Sequence, residues 1–232
     1  MTDRVLTSPG ATPTVGRRSV QRWLPIIRVV LAVAVLLAAA YQLWRFERDI
    51  PGFRTANFFS YFTYESAILS SVVLLLYGLG RERVSESGWA DWVRGGAVVY
   101  MATTGIVYQV LLSGLRPDDG TASQWWVNLI VHQLLPVLMV LDWLLDPPRI
   151  RMAFRRATWW LVYPLAFVIY SLIRGEYVDW YPYGFIDPTV DGGWTKVVTY
   201  SVAIAIAILA LGWLTVTIGT RLRARRDRVI PS

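Results

Sequence analysis

Six long apolar runs constrain the fold of this chain more than any other feature of its sequence. At ~1.5 Å of helical rise per residue, runs of this length approach the ~30 Å hydrocarbon thickness of a bilayer. Hydrocarbon offers no partner to backbone N–H and C=O groups, so an isolated run that crosses it must be helical. The sequence predicts an all-α integral membrane protein with six transmembrane helices, near residues 24–44, 58–79, 92–115, 125–145, 157–173 and 194–218. The fifth run is short unless Arg156 and Arg174 extend their charged ends toward water.

Composition agrees with a membrane location and excludes several kinds of site. Hydrophobic residues make up 55% of the chain, and the mean hydropathy is +0.42. The absence of cysteine excludes disulfides, zinc–thiolate centres and iron–sulfur clusters. One histidine and scattered acidic residues form no ligand cluster, so we expect neither a metal nor an organic cofactor. The net charge is +7, but the arginines cluster between the apolar runs, which favours membrane orientation over binding of nucleic acid.

The distribution of arginine predicts how the chain is oriented. Cytoplasmic loops are enriched in Lys and Arg, and most arginines here precede the first run, follow the second and fourth runs, or lie near the C-terminus. We therefore expect a multi-pass protein of the cell membrane with both termini in the cytoplasm. Residues 1–22 would form a disordered cytoplasmic tail, 23–220 the transmembrane domain and 221–232 a basic cytoplasmic tail. Arg17 and Arg18 also fit a twin-arginine export signal, although arginines before a first span commonly just hold that end inside.

Two polar residues on different runs fall at similar depth beneath one face of the predicted bundle. Thr63 lies five residues into the second run, and His132, the only histidine, lies seven residues into the fourth. In the expected orientation both runs enter from the outer face, which places the two side chains roughly 8 and 11 Å below it. Polar groups at membrane depth need partners, so we expect Thr63 and His132 to meet.

Further residues could line a pocket around this pair. Pro136 deprives the His132 carbonyl of its helical donor, which predicts a kink beside the imidazole. The aromatic loop 177–185 is typical of an interfacial belt, with a lid over the site as the alternative. From helical faces, depth and this loop we assign substrate binding to Ser60, Asn128, Tyr170, Tyr200, Trp180 and Tyr181.

A threonine beside a histidine has the chemistry of a hydrolase. Neutral imidazole can take the hydroxyl proton and so make a nucleophile of Thr63, and a pair that faces lipid suits cleavage of a lipid ester. The sequence shows no evident oxyanion hole and no carboxylate that orients His132. Glu65 should face elsewhere on its helix, whereas Asp118 and Asp119 lie in a loop that could reach the site.

Other functions remain compatible with these residues. Small polar side chains commonly hold transmembrane helices together, so Thr63 and His132 would have structural roles in a non-catalytic lipid-binding or scaffold protein. A small-molecule carrier would need polar residues through the whole bilayer, and the inner halves of the second, fourth and sixth runs are mostly apolar. We expect membrane lipids and a lipid ester as partners, and the sequence indicates no oligomeric state.

The residues around these positions resemble a known family, the androgen-induced and androgen-dependent TFPI-regulating membrane proteins, specifically its bacterial six-span members. The similarity covers most of residues 25–220 and rests on Asn57-Phe58-Phe59-Ser60-Tyr61-Phe62-Thr63, on His132 with Pro136 and Asp142-Trp143, on Tyr163-Pro164, and on Trp180-Tyr181-Pro182-Tyr183 with Asp187-Pro188. Animal members hydrolyse fatty acid esters of hydroxy fatty acids with a threonine nucleophile and a histidine. The resemblance therefore implies that Thr63 and His132 are catalytic. Glu65, Ala67 and Gly184 depart from the bacterial pattern, so the resemblance does not identify the substrate.

Overall fold

The computed structural model describes residues 15–80, 88–114 and 123–229, and every element in these ranges is helical. The α-helices are α1 (Val15–Asp49), α2 (Thr55–Phe58), α3 (Phe62–Leu79), α4 (Gly88–Val107), α5 (Trp125–Leu129), α6 (Leu135–Leu145), α7 (Phe154–Ala157), α8 (Val162–Val178) and α9 (Gly193–Val229). Two π-helical turns extend α4 and join α5 to α6, at Tyr108–Leu112 and Ile130–Leu134. Two 3-10 turns join α7 to α8 and follow α8, at Thr158–Leu161 and Gly184–Ile186.

In the part of the chain that the structure describes, six helices are long and apolar enough to cross a membrane, as the sequence predicts. We call them spans 1 to 6, and their bounds are Arg22–Asp49, Phe62–Leu79, Gly88–Leu112, Trp125–Leu145, Phe154–Val178 and Gly193–Arg228. The fourth span has the predicted bounds, and the others differ by a few residues or more.

Two of these differences bear on the site. Span 2 begins at Phe62 rather than at residue 58, because Thr55–Phe58 forms a separate helical turn and Tyr61 has an extended backbone (φ −88°, ψ 123°). Span 5 is longer than predicted at both ends. Its helix continues through Arg174, whose guanidinium finds a polar partner by donating to Asn57 Oδ1 at 2.5 Å.

Both predicted tails are partly helical. α1 begins at Val15, so residues 15–22 of the expected disordered tail continue the first helix, whereas residues 1–14 lie outside the described ranges. α9 likewise runs through the basic segment to Val229. Arginine is a good helix former, so an arginine-rich segment can extend a helix beyond its apolar part.

Span 3 occupies the centre of the bundle. It packs against spans 2, 4 and 6, while span 1 packs against span 2. Glycine also permits a close approach of span 5 to span 3, because a Cβ at Gly95 would lie 2.6 Å from the ring of Trp160. Ala97 and Met101 of span 3 are buried in the main hydrophobic cluster together with Leu135 of span 4. Packing on span 3 thereby fixes spans 2 and 4 relative to each other.

A buried ionic cluster fills one end of the bundle, which we call the ionic end; the opposite end carries the loop 179–192 and is called the loop end. The cluster consists of Arg28, Asp91, Arg94, Asp142 and Asp146. Arg28 lies 2.6 Å from Asp142 and 2.9 Å from Asp146, and Arg94 lies 3.2 Å from Asp142. Asp142 is therefore paired with two arginines. Arg28 is buried in this cluster, whereas the side chain of Arg48 is mostly exposed.

Candidate active site

Thr63 occupies the first turn of span 2, at the loop end. The chain bends before it: Ser60 N donates to Asn57 O at 3.1 Å, and after the extended Tyr61 a new helix starts at Phe62. The first N–H groups of a helix have no acceptor within it. The fold thus presents both the hydroxyl of Thr63 and a backbone N–H that has no acceptor within its own helix, on a residue that is only 5% exposed.

His132 of span 4 lies against this hydroxyl. Thr63 Oγ1 and His132 Nε2 are 3.3 Å apart, so the structure brings together the two residues that the sequence places at similar depth. The distortion expected near Pro136 takes the form of the π-helical turn Ile130–Leu134, which contains His132. Pro136 itself packs against Gly105 of span 3, where a Cβ would lie 3.0 Å from the proline ring. Such π-turns occur frequently at functional sites.

Tyr108 and Asn128 hold the imidazole in place. The Tyr108 ring, in the π-helical turn of span 3, stacks on His132 with centroids 4.2 Å apart and 23° between the planes. Asn128 Nδ2 donates to the Tyr108 hydroxyl at 2.5 Å. Asn128 therefore orients the ring that stacks on the imidazole. The contact with substrate that the sequence assigned to it stays a prediction. Sequence reasoning missed Tyr108, although its place near the loop end of span 3 was a usable signal.

The described ranges hold no carboxylate that orients the imidazole. His132 Nδ1 is buried and makes no hydrogen bond to a carboxylate in this part of the chain. Glu65 faces away, as expected, and its Oε2 accepts a hydrogen bond from the Tyr163 hydroxyl at 2.6 Å. Asp118 and Asp119, the other acids considered for this role, lie outside the described residues.

Tyr183, from the loop 179–192, is the second side chain that contacts Thr63. Its hydroxyl oxygen lies 3.3 Å from Thr63 N and 3.4 Å from Thr63 Oγ1. Its ring stacks on Phe185 with centroids 5.1 Å apart and also contacts Tyr61 and Phe167. Burial raises the pKa of the Tyr183 phenol, so the hydroxyl stays protonated at neutral pH. Part of the aromatic loop thus covers the site as a lid would. Sequence reasoning placed Tyr183 in the aromatic run and in the resemblance motif, but assigned it no role of its own.

Three of the residues expected to bind substrate contact one another or the residues next to Thr63. Ser60 Oγ donates to the Ala56 carbonyl at 2.7 Å and lies 3.2 Å from the Tyr170 hydroxyl. The Trp180 ring meets the Tyr61 ring edge to face, with centroids 5.5 Å apart. These side chains shape the rim of the site, and none of them contacts the Thr63 hydroxyl directly.

The remaining two lie farther out. Tyr181 covers Gly175, where a Cβ would come within 2.1 Å of its ring. Tyr200 of span 6 contacts Phe185, with ring centroids 6.0 Å apart. Both residues hold the loop 179–192 against the spans, so the structure shows them supporting the cover of the site.

An apolar pocket of about 750 Å³, including its open part, lies beside Thr63. Thr63 and Tyr183 line it, and its walls come from spans 2, 3, 5 and 6 and are almost wholly apolar. Leu165, one of these wall residues, is 47% exposed on the surface of the bundle, so the pocket reaches the apolar exterior.

Comparison with known proteins finds no match: the chain matches no family model, no curated protein and no solved structure. Among the described residues, no group of three or more His, Asp or Glu side chains is placed to hold a metal ion. The chemistry of the site is therefore argued from its own geometry.

Proposed function

We propose that this protein is a multi-pass membrane protein that hydrolyses a lipid ester, with Thr63 as the nucleophile and His132 as the general base. The observation that carries the proposal is the 3.3 Å separation of Thr63 Oγ1 and His132 Nε2, on two different spans. A threonine hydroxyl becomes nucleophilic when an adjacent base takes its proton, and that transfer requires hydrogen-bond reach. In uncomplexed enzymes such contacts are often long, and they tighten when substrate binds.

Two other buried hydroxyls, those of Ser71 and Thr103, contrast with the hydroxyl of Thr63. Ser71 and Thr103 each donate to the backbone carbonyl four residues earlier, at 2.8 Å, which is the usual way for a hydroxyl in an apolar helix to be satisfied. Thr63 lies in the first turn, has no carbonyl of its own helix four residues back, and instead contacts His132 and Tyr183. Its hydroxyl is therefore directed at a base.

The pocket supports an acyl chain as the group bound beside the nucleophile. Its lining is almost wholly apolar, and it opens toward the exterior of six helices whose surface suits lipid tails. An acyl chain placed there would bring its ester carbonyl to the Thr63 hydroxyl at the polar edge of the pocket. The lining residues do not include any member of the ionic cluster, which disfavours a carrier with a path through the whole bundle.

Orientation and location form part of the same proposal. The arginine distribution favours cytoplasmic termini, which would place the loop end and the site toward the outer leaflet of the cell membrane. The resemblance to the androgen-induced and androgen-dependent TFPI-regulating proteins, read from the sequence, independently favours the same two catalytic residues.

The test is hydrolysis of a panel of lipid esters by the full chain purified in detergent. We expect Thr63→Ala to abolish turnover and labelling by a fluorophosphonate probe. Loss of the base in His132→Ala should lower kcat by about 10²- to 10⁴-fold. Thr199→Ala is a matched control, since this exposed hydroxyl donates to Thr195 O on span 6, away from the site, and the variant should retain full activity.

The results separate the candidate functions. Turnover that depends on both residues in folded protein supports the hydrolase. Turnover that survives both substitutions refutes the assignment of the residues. An inactive, unlabelled wild type that still binds fatty acids or esters would favour a non-catalytic lipid-binding protein, for which the same apolar pocket is the supporting observation.

A further inference from the structure

Ester hydrolysis by Thr63, on which this inference rests, requires hydrogen-bond donors that the Thr63–His132 pair does not provide. Attack on a carbonyl carbon places a negative charge on the carbonyl oxygen, and acyl-transfer enzymes stabilise it with preorganised donors about 2.7–3.1 Å away. In the described part of the chain, two donors lie next to the nucleophile: the backbone N–H of Thr63 and the phenol of Tyr183.

The Thr63 N–H lies in the first turn of its helix and has no acceptor within that helix. Tyr64 N and Glu65 N, the next two groups, bond to Tyr61 O at 3.0 and 3.2 Å. Thr63 N instead points at the hydroxyl oxygen of Tyr183, 3.3 Å away. Since α3 (Phe62–Leu79) is a long helix, the positive end of its dipole adds to the attraction that this N–H exerts on a negatively charged oxygen.

The Tyr183 phenol is arranged to donate its own proton toward the reacting atoms. Its oxygen accepts from Thr63 N, and its second contact, at 3.4 Å, is Thr63 Oγ1. These contacts permit a chain of hydrogen bonds in which Tyr183 O–H donates to Thr63 Oγ1 and Thr63 O–H donates to His132 Nε2. The contacts of its ring with Phe185 and Phe167 fix the direction of the hydroxyl.

We propose that the backbone N–H of Thr63 and the phenol of Tyr183 form the oxyanion hole of the hydrolase. In the resting site the two donors bond to each other. When an ester carbonyl enters, its oxygen takes the place of the Tyr183 oxygen at Thr63 N, and the Tyr183 proton turns from Thr63 Oγ1 to that oxygen. The loop 179–192 therefore contributes a reacting group as well as a cover.

Four groups account for every proton and electron pair in the first half of the reaction: the Thr63 hydroxyl, the His132 imidazole, the Thr63 N–H and the Tyr183 O–H. The bond from Thr63 Oγ1 to the acyl carbon forms, the carbonyl π pair moves to its oxygen between Thr63 N–H and Tyr183 O–H, and the Thr63 proton moves to His132 Nε2. Collapse re-forms the carbonyl, breaks the bond to the alcohol oxygen and returns the proton from His132 to that alcohol. Water then gives a proton to His132, and its oxygen attacks the carbonyl carbon of acyl-Thr63 to form a second oxyanion between the same two donors. Collapse breaks the bond from that carbon to Thr63 Oγ1 and releases the free acid. The proton on His132 passes to Thr63 Oγ1 and restores the hydroxyl.

Tyr183→Phe tests this assignment with little disturbance of packing, because it removes one oxygen and keeps the ring. Loss of one oxyanion donor costs about 10²- to 10³-fold in kcat, and we expect that loss with KM changed by less than about threefold, because the donor acts on the transition state. A trifluoromethyl ketone that carries the same acyl chain forms a tetrahedral adduct on Thr63, so its affinity should fall with kcat. The matching unreactive alkyl ketone should bind as it does to the wild type. Tyr177→Phe is the control, since Tyr177 is 84% exposed and adjoins the same loop.

The outcomes distinguish this proposal from the one on which it rests. Turnover that requires Thr63 and His132 but is unchanged in Tyr183→Phe refutes the oxyanion hole and leaves the hydrolase standing. Equal losses of affinity for both ketones would indicate a structural role for the phenol and would also overturn the assignment. A wild type with no turnover and no labelling overturns both proposals. An unfolding temperature within about 2 °C of the wild type, followed by tryptophan fluorescence, shows that the variant is folded. If it is not folded, the same ketone comparison is made with Tyr183→Leu, which also removes the donor and adds no other.

Discussion

Replacement of Arg28 by methionine should be among the most destabilising single substitutions in this chain. Arg28 is 1% exposed, and its guanidinium bridges two carboxylates, with Nε 2.6 Å from Asp142 Oδ1 and Nη2 2.9 Å from Asp146 Oδ2. Methionine fills a similar volume and removes the charge. It would leave Asp142 and Asp146 buried with Arg94 as their remaining cation in the cluster, at 3.2 and 3.9 Å.

The magnitude follows from the charges that stay behind. With every group ionised, the ionic cluster of two arginines and three aspartates has a net charge of −1, and Arg28→Met takes it to −2. Removing one partner of a buried ion pair costs about 3–5 kcal/mol. For a chain of this size about 1 kcal/mol moves the unfolding midpoint by roughly 2–4 °C, so the expected fall is roughly 6–20 °C.

The assay is thermal unfolding in detergent, followed by the fluorescence of the 12 tryptophans. Arg48→Met is the matched control, because Arg48 pairs with Asp49 at 2.7 Å while its side chain is 58% exposed, and exposed pairs contribute little. Arg28→Lys should be intermediate, since one ammonium cannot reproduce the two-pronged contact of the guanidinium with Asp142 and Asp146. Activity per folded molecule should equal that of the wild type, because the cluster lies at the ionic end.

Two results would refute this reasoning. The first is a thermal unfolding midpoint of Arg28→Met no lower than that of Arg48→Met. It would mean that water reaches the cluster, or that Arg28 does not compensate the charges of Asp142 and Asp146 in the wild type. The second is a double variant, Arg28→Met with Asp142→Leu, whose destabilisation equals the sum of the single effects. If the two charges depend on each other, the double variant should lose at least about 1 kcal/mol less than that sum.

Two further predictions concern the supports of the site. Asn128→Leu removes the 2.5 Å hydrogen bond to Tyr108 and should free the ring that stacks on His132. We expect kcat to fall about five- to tenfold with little change in KM, as measured by ester turnover, because the base is displaced while the pocket is intact. Gly175→Leu places a Cβ 2.1 Å from the Tyr181 ring and should cost about 1–3 kcal/mol by overpacking. Limited proteolysis should then cut the loop 179–192 faster than in the wild type, and an unchanged cleavage rate would contradict the contact.

The sequence predicted the framework of the site because membrane spans follow from hydropathy and depth follows from helical rise. Those two rules gave six spans and the encounter of Thr63 with His132. They misplaced the start of span 2, because the aromatic residues before Phe62 are as apolar as the span itself and hydropathy does not detect the turn at Tyr61. Because the predicted span began at residue 58, the sequence did not show that Thr63 lies in the first turn, where its N–H has no acceptor within the helix.

The two contacts that sequence reasoning missed have different physical causes. The contact of Tyr108 with His132 depends on the rotation of span 3 about its axis, which the π-helical turn alters. The contact of Tyr183 with Thr63 depends on the conformation of a loop, where side-chain direction has no period that a sequence could reveal. Depth alone predicts which residues can meet across a bundle, and rotation decides which of them do.

Residues that carry the family resemblance lie at both ends of the bundle, and the two ends have different roles. Thr63, His132 and Tyr183 gather at the loop end, within hydrogen-bond reach of one another through the threonine. Asp142 belongs to the ionic cluster, and Trp143 donates to Thr215 O at 3.1 Å at that same end. A buried carboxylate held between two arginines has its charge compensated, so it is a poor candidate for proton transfer. Asp142 therefore connects spans 1, 3 and 4 through its arginine partners, and the reaction that we propose is assigned to the groups that the first turn of span 2 and the loop 179–192 place beside His132.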